Sequence, residues 1–220
     1  MTNNHAPQDG DNATLTKEPE APAKSAAPSK RRLESRRRIL AAARQLFVER
    51  GYHGTRPQDI SKAAGVGHGT FYLHFGDKLD CFLAFAEEAS AELEVFIDQH
   101  MKDVDTLDAG IREVVQAIFD YSEDHPGVLA AALTDINVLA TGETEKKMPI
   151  DRWGEQWADI IRQWGDDGIV ANDIDPMFTG HLIVGMIRQG GAYAYRTGMA
   201  RADLVDQLSR AILRSLKSDA

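Results

Sequence analysis

Two sets of residues in the N-terminal third have the types and spacing to bind a polyanion. The first is the consecutive run Arg36, Arg37 and Arg38, and the second is His68, Gly69, Thr70, Tyr72, Leu73 and His74, with Lys78 just beyond. The second set combines hydrogen-bonding tips, a glycine for close backbone approach and no acidic group, which suits the rim and floor of a DNA major groove. The three arginines are expected in the first turn of a helix, where the dipole disfavours positive charge. A phosphate across that helix end would reverse the penalty and accept bonds from the free backbone amides. The bland alternative is a solvated basic patch. The seven histidines make no metal spacing. Gly65, Gly67 and Gly69 follow no strand, so they do not read as a phosphate cradle, and no Ser, Cys or Thr has an activating context. Neither an enzyme, a metal nor a cofactor is expected.

The elements that must position these residues are helices. The periodicity predicts a first helix over about 36–50, with Ile39, Ala43, Leu46 and Phe47 on one face and Gly51 ending it. Two short helices follow, about 57–64 and 68–75, joined by Gly65 and Val66. A tight corner of this kind needs a positive φ, hence the glycine. Ile60, Ala64, Val66, Phe71 and Phe75 are expected to meet in one small core beneath it. Asp77 and Asp80 are placed to cap the next helix. Longer helices are expected at about 78–101, 107–124, 127–140, 149–165, 176–197 and 201–217, with no alternating strand pattern. The chain thus reads as all-α: a disordered tail at 1–30, a three-helix helix-turn-helix unit at 31–80 and a larger helical domain at 81–220.

Charge divides along the same lines. Residues 30–80 carry a net +6 and residues 81–220 a net −13, within an overall −9. A polyanion is drawn to one end of such a molecule and repelled by the other. Composition is ordinary for a globular protein, at 43% hydrophobic and 27% charged. The longest apolar run, near Val128 to Leu133, is too short to cross a bilayer, and no secretory signal is visible. The lone Cys81 excludes an internal disulfide, fits a reducing cytosol and reads as a small core residue. A cytoplasmic protein is expected.

Residues 36–78 resemble the DNA-binding domain of the TetR family of transcriptional regulators. The resemblance rests on Gly51, Tyr52 and Thr55, on the turn from Asp59 to Val66, and on Gly69 to Phe75 followed by Lys78. It implies that Thr55, Tyr72 and Lys78 contact phosphate and that Gly69, Thr70 and His74 approach bases or backbone. Gln58 is counted with them. Three positions depart from the common pattern. Gly67 stands where Ser often caps the recognition helix, His68 replaces a frequent Lys, and Leu73 occupies a variable site from which it could touch a thymine methyl.

The resemblance also implies a homodimer on a near-palindromic operator and a cavity for a small-molecule effector among the middle helices. The dimer face expected from it comprises Phe178, Leu182, Gly185, Met186, Gln189, Gly190 and Tyr193, with Leu204, Leu208 and Ile212. The alternative is an intramolecular hairpin that seals the core. Phe119, Leu133, Asp135, Ile136, Asn137, Trp153 and Trp157 are expected to line the cavity, although Trp153, Trp157 and Trp164 with Ile160 and Ile161 also make an ordinary buried helix face. The acidic balance of the domain favours a neutral or cationic lipophilic effector over an anionic one. A different class of function stays open: a helical small-molecule-binding or catalytic protein whose basic N-terminal unit serves a protein partner. So does a regulator governed by a protein partner or by none.

Overall fold

A computed structural model of the protein describes residues 30–133, 147–166, 168–171 and 173–217. The expected tail lies outside these residues, apart from Lys30. The described residues form helices and connecting turns only. They are α1 (Lys30–Arg50), α2 (Pro57–Ala63), α3 (His68–Tyr72), α4 (Lys78–His100), α5 (Leu107–Asp124), α6 (Val128–Ala132), α7 (Pro149–Asp166), α8 (Pro176–Thr197) and α9 (Arg201–Leu216). No helix among them is long and apolar enough to cross a membrane.

Local chemistry sets most of the boundaries. Gly51 takes φ +71° and its N–H bonds the Phe47 carbonyl, closing α1. Asp77 accepts from the Asp80 amide at 2.7 Å, while the Asp80 carboxylate accepts from Gly76 N at 3.0 Å. Thr106 and Asp175 cap α5 and α8 in the same way. Of the helix expected over about 127–140, α6 spans Val128–Ala132 and positions 134–140 lie outside the described residues, and two helices of the N-terminal unit also depart from expectation. Helix α1 begins about six residues earlier, at Lys30. Helix α3 stops at Tyr72, and Leu73 to Phe75 continue as a turn in which the His74 and Phe75 amides still bond the Phe71 carbonyl.

One continuous apolar core runs from the N-terminal unit to α9. In the N-terminal unit Phe47 packs edge-on against Phe82, with ring centroids 5.3 Å apart, and tilted against Phe85 at 5.7 Å. Helix α4 therefore belongs to both parts, running unbroken through the boundary expected near residue 80. Helices α7 and α8 cross with backbones almost touching: a Cβ on Gly180 would sit 2.2 Å from the Gly154 carbonyl oxygen. The small residues of α8 thus serve, in part, a contact within the chain. Cys81 is buried, which pushes its thiol up to about 12, as a core residue should.

Candidate nucleic-acid interface

The corner between α2 and α3 is built from both sides. Gly65 takes φ +62°, and Val66 N bonds the Ser61 carbonyl at 3.0 Å. Ile60, Ala64, Phe71 and Phe75 are buried beneath it and Val66 packs against them, the five-residue core that periodicity predicts. With Phe71 anchored, the rest of α3 turns outward. Gly67, His68 and Gly69 are exposed, as is Gln58 on α2, and Thr70 is half-buried. Tyr72 is 49% exposed and Leu73 71%. The His68 and Tyr72 rings meet edge to face at 5.1 Å, which restrains both side chains on the outer surface.

Four of the expected DNA contacts, three to phosphate and that of His74 to bases or backbone, are corrected by the geometry. Arg38 donates from Nη2 to the Ala64 and Gly65 carbonyls, at 2.5 and 2.9 Å, and so caps the C-terminal end of α2. A Cβ on Gly65 would lie 2.7 Å from that nitrogen and would displace the Arg38 guanidinium, while the positive φ is what calls for glycine there. Thr55 is 0% exposed, and its hydroxyl donates within the chain, to Gly51 O at 2.9 Å and Leu46 O at 3.2 Å. It locks the loop after α1 and presents no hydroxyl to DNA. Lys78 donates from Nζ to the Tyr52 and Thr55 carbonyls, at 2.9 and 3.1 Å, with the ammonium 4.0 Å from the Tyr52 ring centroid. Burial pulls its pKa below the ordinary lysine value. His74 is half-buried, with Nε2 2.7 Å from Ser35 Oγ, tying the turn after α3 to α1. Burial, and then the charges of Arg32 and Arg36, hold its pKa down.

The early start of α1 also changes the argument for the arginines. The first turn is Lys30, Arg31 and Arg32 with Leu33, and contains no acid. Arg36, Arg37 and Arg38 lie in the second and third turns, where backbone amides are bonded within the helix, so free amides at a helix end play no part. Arg36 and Arg37 remain exposed, with the Arg36 guanidinium 5.3 Å from the Phe75 ring centroid. Sequence reasoning missed the inward roles of Arg38 and Lys78 because their partners are backbone carbonyls, which no residue type announces.

The described members of the expected effector set, Phe119, Leu133, Trp153 and Trp157, do not converge. Trp153 lines a cleft of about 570 Å³ between α4 and α7, beside Leu83, Glu87, Ser90, Glu94 and Arg152. Its indole N–H donates to Ser90 Oγ at 3.0 Å. Trp157 is buried in the core with Ile161, Leu133 is buried on the turn after α6, and Phe119 packs toward Gly191 of α8. Ile160 faces outward, contrary to the expected buried face. Asp135, Ile136 and Asn137 lie outside the described residues.

The expected dimer face divides in two. On α8, Phe178, Leu182, Gly185, Gln189 and Tyr193 are exposed and Met186 is half-buried, an apolar stripe at helical spacing. On α9, Leu204, Leu208 and Ile212 are buried in the core of their own chain, which is the hairpin alternative. Gly190 belongs with them, because a Cβ there would lie 2.8 Å from Leu208 Cδ2.

An all-α chain whose glycine-cornered helix pair presents an exposed, acid-free face is a helix-turn-helix protein. Residues 39–85 match the model of the bacterial regulatory proteins of the tetR family, about a fifth of the chain. It is 34% identical over 85 residues to the HTH-type transcriptional activator FasR of Mycolicibacterium smegmatis, covering 39% of each chain. It is 37% identical over 62 residues to the HTH-type transcriptional repressor AcnR of Corynebacterium glutamicum, covering 28% of this chain and 33% of the relative. The chain thus matches about a third to two fifths of the length of these curated relatives. Its fold extends further: a tetR family transcription regulator from Shewanella sp. PV-4 superposes with a TM-score of 0.69 at 18% identity, over 84% of this chain and 99% of the other. The relatives are named as transcription regulators, which agrees with the expectation of no enzyme.

Proposed function

We propose that the protein is a sequence-specific DNA-binding transcriptional regulator, a dimeric repressor that a small lipophilic ligand releases from its operator. One observation carries the reading. The outer face of α3 and the turn after it, with His68, Gly69, Tyr72 and Leu73, stands in solvent while Phe71 and Phe75 behind it are buried. A reading head held by a packed core is what base recognition requires. Exposed Arg36 and Arg37 lie beside it as the phosphate contacts, and Gln58 and Thr70 flank it. The stripe from Phe178 to Tyr193 on α8 supports the dimer, which would set two recognition helices roughly 34–36 Å apart on a near-palindrome. The cleft between α4 and α7 is the effector site in this reading, of a size usual for small molecules. The cleft wall balances Glu87 and Glu94 with Arg152 and Lys147, and Arg152 pairs with Glu87, so the preference for a neutral or cationic occupant rests on the acidic balance of the domain.

Footprinting on the DNA upstream of the protein's own gene tests the reading, with Leu73→Ala as the discriminating variant. Leu73 is exposed, so the variant should fold normally. It should lose about 1–3 kcal/mol on the best site and less on random DNA. Equal loss on both would remove Leu73 from the reading head, and protection of no symmetric site would remove the function.

A further inference from the structure

Among the described residues, the contact of Arg44 with Glu92 that joins the N-terminal unit to the body differs in kind from the apolar contacts around it. Most of the junction is apolar: Phe47 against Phe82 and Phe85, and the corner at Gly127 lying against Val48, where a Cβ would come within 2.9 Å of Val48 Cγ1. Such contacts hold two parts together but are non-directional. Arg44 of α1 supplies direction. Its Nη1 and Nη2 donate to the two carboxylate oxygens of Glu92 on α4, at 2.6 and 2.8 Å, a two-pronged geometry that fixes orientation. From the other side the phenol of Tyr121 on α5 donates to Glu92 Oε2 at 2.6 Å.

Three helices therefore meet on one carboxylate. Tyr121 is fully buried, its ring 4.4 Å from that of His125 at the end of α5 and 5.3 Å from that of Phe96 on α4, so its phenol is held in one place against Glu92. Arg44 holds Glu92 below its ordinary carboxylate range, and burial holds the Tyr121 phenol above its own. The acceptor stays charged and the donor stays protonated at neutral pH. Two residues either side of Glu92, Ser90 and Glu94 line the cleft between α4 and α7. The same turns of α4 thus carry the cleft wall on one side and this junction on the other.

We propose that Arg44, Glu92 and Tyr121 are positioning residues that set the angle of the helix-turn-helix unit on the body, and that the apolar junction alone does not set it. In the dimer, that angle decides the separation of the two recognition helices. This last step rests on the function proposed above, but the angle itself does not.

The experiment uses the full chain with spin labels on Leu73→Cys and Ala202→Cys, one on the reading head and one on exposed α9, with the buried Cys81 left in place. Pulsed dipolar spectroscopy reads the distance between them without DNA. The expected result is a narrow distribution in the parent, a broader or shifted one in Glu92→Gln and Tyr121→Phe, and a return to narrow when Arg44→Glu is combined with Glu92→Arg. Unlabelled Glu92→Gln should lose about 2- to 30-fold in operator affinity with random-sequence binding unchanged, a split that simple loss of folded protein would not produce. An unchanged distribution in Glu92→Gln overturns the proposal. A changed distribution in a protein whose parent binds no operator leaves the positioning role standing and overturns only the proposed function.

Discussion

Lys78 offers the sharpest separation between a residue that grips DNA and one that holds the gripping unit together. Lys78→Met keeps the apolar stem and removes the ammonium. The Tyr52 and Thr55 carbonyls then lose a donor each, and the Tyr52 ring loses its cation. A partly buried acceptor left without its donor costs about 1 kcal/mol, toward the low end of the usual range because water can reach it. The cation over the ring adds about 0.5–1 kcal/mol. Against these stands the relieved burial of the charge, which pulls the lysine pKa down in the folded protein. The net expectation is about 1–2 kcal/mol of lost stability, seen as a fall of roughly 2–8 °C in the unfolding midpoint at this chain length. The companion assay is the salt dependence of binding to random DNA. With the ammonium turned inward, the log-log slope should stay within about half a unit of the parent, whereas a phosphate contact would contribute about one unit. A variant of unchanged stability whose slope falls by a full unit would refute the assignment and return Lys78 to the phosphate.

Two further outcomes follow from the same geometry. Phe178→Glu combined with Leu182→Glu alters exposed residues only, so helical content should be retained while sedimentation shows monomers; a persistent dimer would place the interface elsewhere. Acidification should loosen the N-terminal unit in two steps, read by hydrogen exchange. His74 is held below its ordinary value near 6.5 by burial and by Arg32 and Arg36 of α1. Its clasp on Ser35 is therefore fully present above that value and lost as pH falls through the lowered one. Glu92 is held below its ordinary value near 4.5 by Arg44 of α1, helped by Tyr121 and His125 of α5, so the junction with the body survives to more acid pH. His74→Gln should abolish the first step alone, and a single transition in the parent would contradict the ordering.

Much of this protein was decided locally and could be read from residue order. Helix ends marked by Gly51, Gly65 and the caps Asp77, Thr106 and Asp175 depend on neighbours a few positions away, so those ends fall within a few residues of expectation, whereas the start of α1 does not. The alternation of anchored Phe71 and Phe75 with outward His68, Tyr72 and Leu73 is a matter of 3.6-residue periodicity, and the reading face follows from it. What periodicity does not reveal is which of two available surfaces an apolar stripe covers. Leu204, Leu208 and Ile212 would suit a partner subunit or the chain's own core, and only the path of α5 and α8 sends them inward. The same holds for polar reach. Arg38, Thr55 and Lys78 have side chains fit for phosphate, yet carbonyls brought close by the α1–α2 loop and the Gly65 corner claim them first. Arg44 and Glu92 are 48 positions apart and Glu92 and Tyr121 are 29 apart, and no spacing rule couples them. Their meeting is a property of three helix axes packed together, and that packing exists only in the folded chain.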